Sequence, residues 1–258
     1  MLDEEFSKLL VQAPNPGEAV EELFLAARNS CEQQFFLSLL DFSRTRFEDK
    51  SFLFNDPQPR WVLQQFLKYF RAVVDLRPDS LGKGYEDLVM RLQMLAYGQF
   101  WEAFAVKRIF SSLLATCVGE KYSVRNFMKY EEEITYEFYK DLRKKARNQQ
   151  LKIADTLDVL YKNQIRNAFA HSQFCVLAGY IIFANFEKDK PWSIPSLKLE
   201  TWDRLFELTK GFIIALFKAW DEGLGELKGR IPYQVMIAGN SYLLGIDKRD
   251  GSFRLIGR

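Results

Sequence analysis

A chain of 258 residues that is 48% hydrophobic and 27% charged has room for one large domain or two small ones, and its composition is that of an ordinary globular protein rather than a disordered one. Its 36 basic and 34 acidic side chains leave a net charge of +2, which excludes the global positive field of a constitutive nucleic-acid coat. Contact with a polyanion therefore has to come from a local patch. With 23 Phe, 11 Tyr and 5 Trp the chain can close a core without staples. Cys31, Cys117 and Cys175 are widely spaced and odd in number, so they match neither a disulfide framework nor a CxxC metal site and read as buried thiols of a reducing compartment. The start Met1-Leu2-Asp3-Glu4-Glu5 is acidic where a secretory leader is basic, and no run approaches the roughly 18–20 apolar residues of a membrane span. The expectation is a cytoplasmic protein with no membrane partner.

In chain order, residues 1–12 predict a short helix that ends at Ala13-Pro14-Asn15-Pro16-Gly17. A longer helix is expected over 18–42, with Leu23, Ala26, Ala27, Cys31 and Gln34 along one side. Asp56-Pro57-Gln58-Pro59 breaks the chain, and 61–76 predicts an amphipathic helix closed by Arg77-Pro78 and the Gly82-Lys83-Gly84 turn. That turn lacks the GxxxxGK[ST] spacing of a phosphate loop and is read as a loop. From 85 to 118 the pattern is helical, with a soft spot at Gly98, a repeat of Trp101, Phe104, Ala105, Arg108 and Ser112, and Gly119 as C-cap.

The stretch 130–148 starts acidic, at Glu131, Glu132 and Glu133, and ends basic. Acids at a helix N-terminus and bases at its C-terminus complement the macrodipole, which is one account of the pattern. The other is that Lys140, Arg143, Lys144 and Arg147 share one arc and form a ridge that tracks a phosphate backbone. A central helical region is expected over 152–186, its apolar run 174–186 being a core helix, followed by a loop with Pro191 and Pro195. The last amphipathic helix spans 201–220 and is capped by Gly223 and Gly225. Beyond it the period falls toward two, and 233–238, 242–246 and 253–256 predict short strands, which must dock on the helices or pair with another chain. The expected organisation is a helical region over 1–95, a helical bundle over 96–222 and a small β element over 223–258.

His171 is the only histidine in the chain. On an uninterrupted helix it falls within the stripe made by Ile153, Leu157, Leu160, Ala168 and Cys175, with Gln164 and Asn167 beside it. One histidine excludes HExxH and other multi-histidine metal sites; there is no GxSxG elbow, no dinucleotide fingerprint and no cysteine spaced for a Cys-His pair. No metal or cofactor is expected. Arg166, Asn167 and His171 remain, a trio suited to phosphoryl chemistry: an imidazole that moves protons near neutrality, a forked permanent cation, and an amide on the histidine's own face. Arg166 is five residues from His171, so on a straight helix it points to one side. It must reach back, meet a break in the helix, or act across a dimer interface.

The string Arg166-Asn167-Ala168-Phe169-Ala170-His171, set between amphipathic helices, resembles the R-x(4–6)-H motif of the HEPN superfamily, with the resemblance in helical arrangement extending over 97–220. What it implies is a mainly α protein with a HEPN-like helical bundle, here carrying an N-terminal helical extension and a small C-terminal β-hairpin or meander. It also implies a metal-independent endoribonuclease, commonly a homodimer with two motifs facing one cleft, in which a ribose 2′-hydroxyl attacks the adjacent phosphate. His171 is then the acid or base, Arg166 the transition-state clamp and Asn167 the polar helper. By the same analogy the setting is a toxin or phage-defence system, with an antitoxin or regulatory protein as a further partner. Glu102 is a candidate for the acidic residue that assists from a preceding helix in some relatives. Gln173 stands where some toxin members carry a tyrosine, which argues against the subgroup regulated through that residue.

Two alternatives stay open. In one, Gln164, Asn167 and His171 form a satisfied buried network and Arg166 is an ordinary surface arginine. In the other, the chain is a non-catalytic helical module that binds RNA, a nucleotide or a protein partner.

Overall fold

The computed structural model describes residues 3–40, 45–47, 50–53, 57–74, 86–120, 135–237, 239–248 and 251–257. Within them the chain is mostly helical: α1 (Asp3–Gln12), α2 (Pro16–Ser30), α3 (Glu32–Leu39), α4 (Pro57–Val74), α5 (Glu86–Glu102), α6 (Phe104–Cys117), α7 (Thr135–Asn148), α8 (Ile153–Leu160), α9 (Asn163–Ala170) and α10 (Leu199–Gly229). The strands are β1 (Thr45–Phe47), β2 (Lys50–Leu53), β3 (Phe174–Leu177), β4 (Tyr180–Phe183), β5 (Ser196–Lys198), β6 (Tyr233–Ile237), β7 (Asn240–Ile246) and β8 (Phe253–Gly257). The Arg77-Pro78 and Gly82-Lys83-Gly84 turns and the acidic stretch Glu131–Glu133 lie outside the described residues. No helix among those described is long and apolar enough to cross a membrane.

One core joins the helices and both sheets, from Phe6 and Leu10 on α1 to Phe253 and Leu255 on β8. The expected segment boundaries at 95/96 and 222/223 accordingly fall inside α5 and α10. Helices α2 and α6 pack together, and α10 lies along α2 and α3. A Cβ on Gly223 would lie 2.8 Å from the Leu39 side chain, so the glycine serves this close approach of α3 to α10, and the helix runs through both Gly223 and Gly225 rather than stopping at them.

The helix expected over 18–42 is two, parted at Cys31, whose extended backbone (φ −160°, ψ 96°) ends α2 and begins α3 and lets Phe35 and Phe36 turn into the core. The break expected at Gly98 lies instead at Ala103, between α5 and α6. The C-terminal strands are where the periodicity placed them, but they join β1 and β2 in a five-stranded sheet of order β2-β1-β8-β7-β6, in which β1 and β8 run parallel. The edge of β8 is thus taken by a segment of the same chain.

The largest departure is at 161–186. Instead of one central helix there are α8, α9 and then a hairpin, β3 and β4, which joins β5 in a three-stranded antiparallel sheet. Leu177 pairs with Tyr180 across the two-residue turn Ala178-Gly179, and both turn residues have positive φ (49° and 83°), the combination that matches hairpin twist. Phe174, Val176, Ile181 and Phe183 face inward, while Cys175, Leu177, Tyr180 and Ile182 are outside. Cys175 is therefore exposed and Cys31 half-buried; of the expected buried thiols only Cys117 is buried, and burial pushes it up to about 11.

Candidate functional site

The site is built on α9, a short helix with a defined stop at each end. Before it, Tyr161 and Lys162 are extended, and the interruption is filled by one side chain: the buried Tyr97 hydroxyl donates to Leu160 O (2.8 Å) and accepts from Lys162 N (3.0 Å). Tyr97 belongs to an aromatic cluster with Trp101, Phe169 and Trp202, so the pin stands on rigid ground. Burial holds its phenol above the usual range. At the other end, Ser172 takes a left-handed backbone (φ 54°), Gln173 N donates to Ala168 O (2.8 Å) and Ser172 N to Phe169 O (3.4 Å). That is the Schellman pattern, with serine where glycine is usual. It places His171 as the capping residue, with its backbone N–H on Asn167 O (3.0 Å).

His171 is therefore exposed and leaves the stripe in which Ile153, Leu157, Leu160 and Ala168 stay buried. It lines a cavity of about 620 Å³ together with Asn167, Lys162, Arg143, Gln173 and Lys190, among others. The buried-network alternative fails on this point. Gln164 is satisfied elsewhere: its amide donates to Ile194 O (2.8 Å) and accepts from Ile194 N (2.7 Å), clamping the loop between β4 and β5 against α9 at the cavity wall.

Arg166 points to the other side of α9, as the five-residue spacing predicts, and lines a separate cavity of about 290 Å³ with Glu102, Arg91, Gly98 and Phe174. It is no surface arginine, since its side chain is 14% exposed. It forms an ion pair with Glu102 and donates to Asn167 Oδ1. Glu102 Oε2 also accepts from Thr135 Oγ1 (2.6 Å), and Lys107 Nζ lies 3.5 Å from Glu102 and donates to Thr135 (2.7 Å). Among the described residues Arg166 Nε has no hydrogen-bond partner, and burial lowers the guanidinium's proton affinity. Asn167 thus accepts from Arg166 through Oδ1 while also lining the larger cavity, where its amide can serve as a donor.

Of the expected basic ridge, only Arg143 lines the cavity. It donates to Tyr139 O (3.1 Å) and pairs with Asp158 of α8 (3.0 Å), to which Arg147 also binds, so one carboxylate engages both arginines of the ridge. Lys140 pairs with Glu137 (3.1 Å), while Lys144 is exposed. The cation that the sequence reading missed is Lys162. Its ammonium donates to Asp158 O (2.7 Å) and sits 5.1 Å over the Phe6 ring, and burial, with Arg143 adding to it, pushes it down to about 8. Lys190, on the same cavity, pairs with Glu187. Nothing in the local sequence marked Lys162, because the ring its ammonium lies over, Phe6, is on α1, far away in the chain. Among the described residues no cluster of three or more His, Cys, Asp or Glu side chains is arranged to hold a metal ion.

Compared with models of protein families, with curated proteins and with solved structures, the chain gives no match, so the functional reading rests on its own residues.

Proposed function

We propose that the chain is a metal-independent endoribonuclease of HEPN type, acting at the cavity shared by His171 and Asn167. The observation that carries this reading is that the only histidine is exposed at a polar, cation-lined cavity, on the helix that also holds Arg166 and Asn167. His171 takes the proton of a ribose 2′-hydroxyl as its oxygen forms a bond to the adjacent phosphorus. The P–O5′ bond breaks, and the leaving oxygen gains a proton, leaving a 2′,3′-cyclic phosphate. Lys162, Arg143 and the Asn167 amide oppose the charge that grows on the phosphate. Arg166 acts as a positioning residue within one copy, holding Asn167 while Glu102 holds it. A homodimer supplies the second proton-transfer group, the partner's own motif facing this one. The outward apolar face of β3 and β4, which starts within a few residues of His171, is the surface that favours such pairing.

The test is incubation of the purified chain with RNA in excess chelator, with product ends identified by mass spectrometry. Cleavage should persist, give cyclic phosphate ends and stop at a 2′-deoxy position. Loss of cleavage on chelation, or 5′-hydroxyl-free products, would sink the reading. A dependence on pH follows from Lys162. Its ammonium is charged below about 8 and neutral above, so its contribution to phosphate binding is present at neutral pH and decays as pH rises through about 8. Affinity for a non-cleavable RNA, measured by fluorescence anisotropy, should fall across that range in wild type and stay level in Lys162→Arg. Equal slopes would assign the effect to another group.

The second reading, a module that binds RNA without cutting it, is favoured by one observation: Arg166 is engaged with Glu102 away from the larger cavity. It predicts complex formation with no strand scission under any of these conditions.

A further inference from the structure

Most of the loop between β4 and β5 is tied down. Phe183 N donates to Pro195 O (3.0 Å), Glu187 N to Ser193 Oγ (2.9 Å), Ser193 N to Lys190 O (2.9 Å) and Asn185 Nδ2 to Gln164 O (3.0 Å), in addition to the Gln164 clamp on Ile194. Ser193 and Ile194 are buried. Trp192, immediately before them, is 63% exposed and lines the cavity that holds His171. A large indole turned to water on a tethered loop gives up burial that folding would otherwise gain, so packing within this chain does not account for it. Tyr136 from α7, also exposed, lines the same cavity, which carries Arg143, Lys162 and Lys190 as well. Aromatic faces beside phosphate-binding cations are the combination that holds a single strand: cations track the backbone while a base stacks on the ring. A base inside a duplex has both faces covered by its neighbours and cannot use such a platform.

We infer that Trp192 is a stacking platform for an unpaired nucleobase, which makes the substrate of this cavity RNA with unstacked bases rather than duplex. The inference rests on the RNA reading of the same site and adds a specificity-determining residue to it. The backbone beside Trp192 is already fixed at Ser193 and Ile194, so binding at the indole need not order the loop that carries it.

The experiment uses the full chain in chelator with 2′-O-methyl oligonucleotides, which bind without being cut, and reads affinity by anisotropy. An unpaired oligomer should lose about 5- to 100-fold in affinity on Trp192→Ala and recover most of it with Trp192→Phe. A hairpin-paired version of the same sequence should bind more weakly and be indifferent to both changes. Replacing single nucleotides by abasic ones should locate one position at which removing the base costs wild type but not Trp192→Ala. Equal affinity of wild type and Trp192→Ala, equal losses on unpaired and paired RNA, or no such abasic position overturns the inference, as does the absence of any RNA binding. If binding depends on Trp192 as stated while wild type cuts no RNA, the platform stands and the nuclease reading falls. If cutting requires His171 and ignores Trp192, the reverse holds. A protein partner as the true occupant would leave RNA affinity untouched, and so counts against the inference.

Discussion

Replacing His171 with alanine is expected to lower RNA cleavage by about 10²–10⁴-fold while leaving thermal unfolding within about 0.5 kcal/mol of wild type. The two halves of that expectation come from different observations. The loss follows from its being the only imidazole in the chain, so no neighbouring residue of the same kind can take over the proton. The unchanged stability follows from its exposure and its place as the capping residue of α9, where its backbone N–H makes the helical bond and its side chain fills no core. Calorimetry alongside a cleavage assay checks both. A variant that cuts RNA as fast as wild type removes the catalytic role. One that loses both activity and several degrees of melting temperature shows the ring to be structural.

Arg166→Ala should behave differently, with loss of cleavage and a fall in stability of about 1–3 kcal/mol together. The guanidinium is mostly buried and joined to Glu102 and Asn167; its removal leaves Glu102 with Thr135 and Lys107 alone and frees the Asn167 carboxamide to rotate. The partial exposure of Glu102 keeps the cost below that of a fully buried pair. Arg166→Lys retains charge but cannot fork to two acceptors, and should recover stability better than cleavage. Full activity in Arg166→Ala would show that Asn167 needs no such hold. Activity lost with stability unchanged would move Arg166 from positioning to direct contact with the phosphate.

Much of the scaffold was legible in the amino-acid order. Most of the helical segments, the C-terminal strands and the divergence of Arg166 from His171 follow from periodicity, whereas the ion pair of Arg166 with Glu102 could not be read from the sequence, where Glu102 was only a candidate assisting acid. Around His171 three features were hidden, each for a physical reason. The hairpin at 174–183 is apolar on both faces, so its period of two cannot be seen, and its turn is Ala-Gly rather than the commoner Asn-Gly. The stop after Ala170 uses Ser172 at positive φ, where a sequence reader looks for glycine. The break before α9 is made by Tyr97, which is distant in the chain and ordinary in its local pattern. All three misreadings had one effect, keeping His171 inside a buried stripe when it belongs to a cavity.

The hairpin has a consequence for how this fold can go wrong. In most half-buried strands a slip of one residue would drive polar side chains into the core, and that penalty polices the alignment. Here a slip in β3 would exchange Phe174 and Val176 for Cys175 and Leu177, apolar for apolar, so the core offers little resistance to misalignment. The Ala178-Gly179 turn is then the main guardian of the alignment, and β3 lies at an edge of its sheet, with no second strand paired to it among the described residues. A damaged turn would produce misaligned, self-adhesive molecules before it produced unfolded ones.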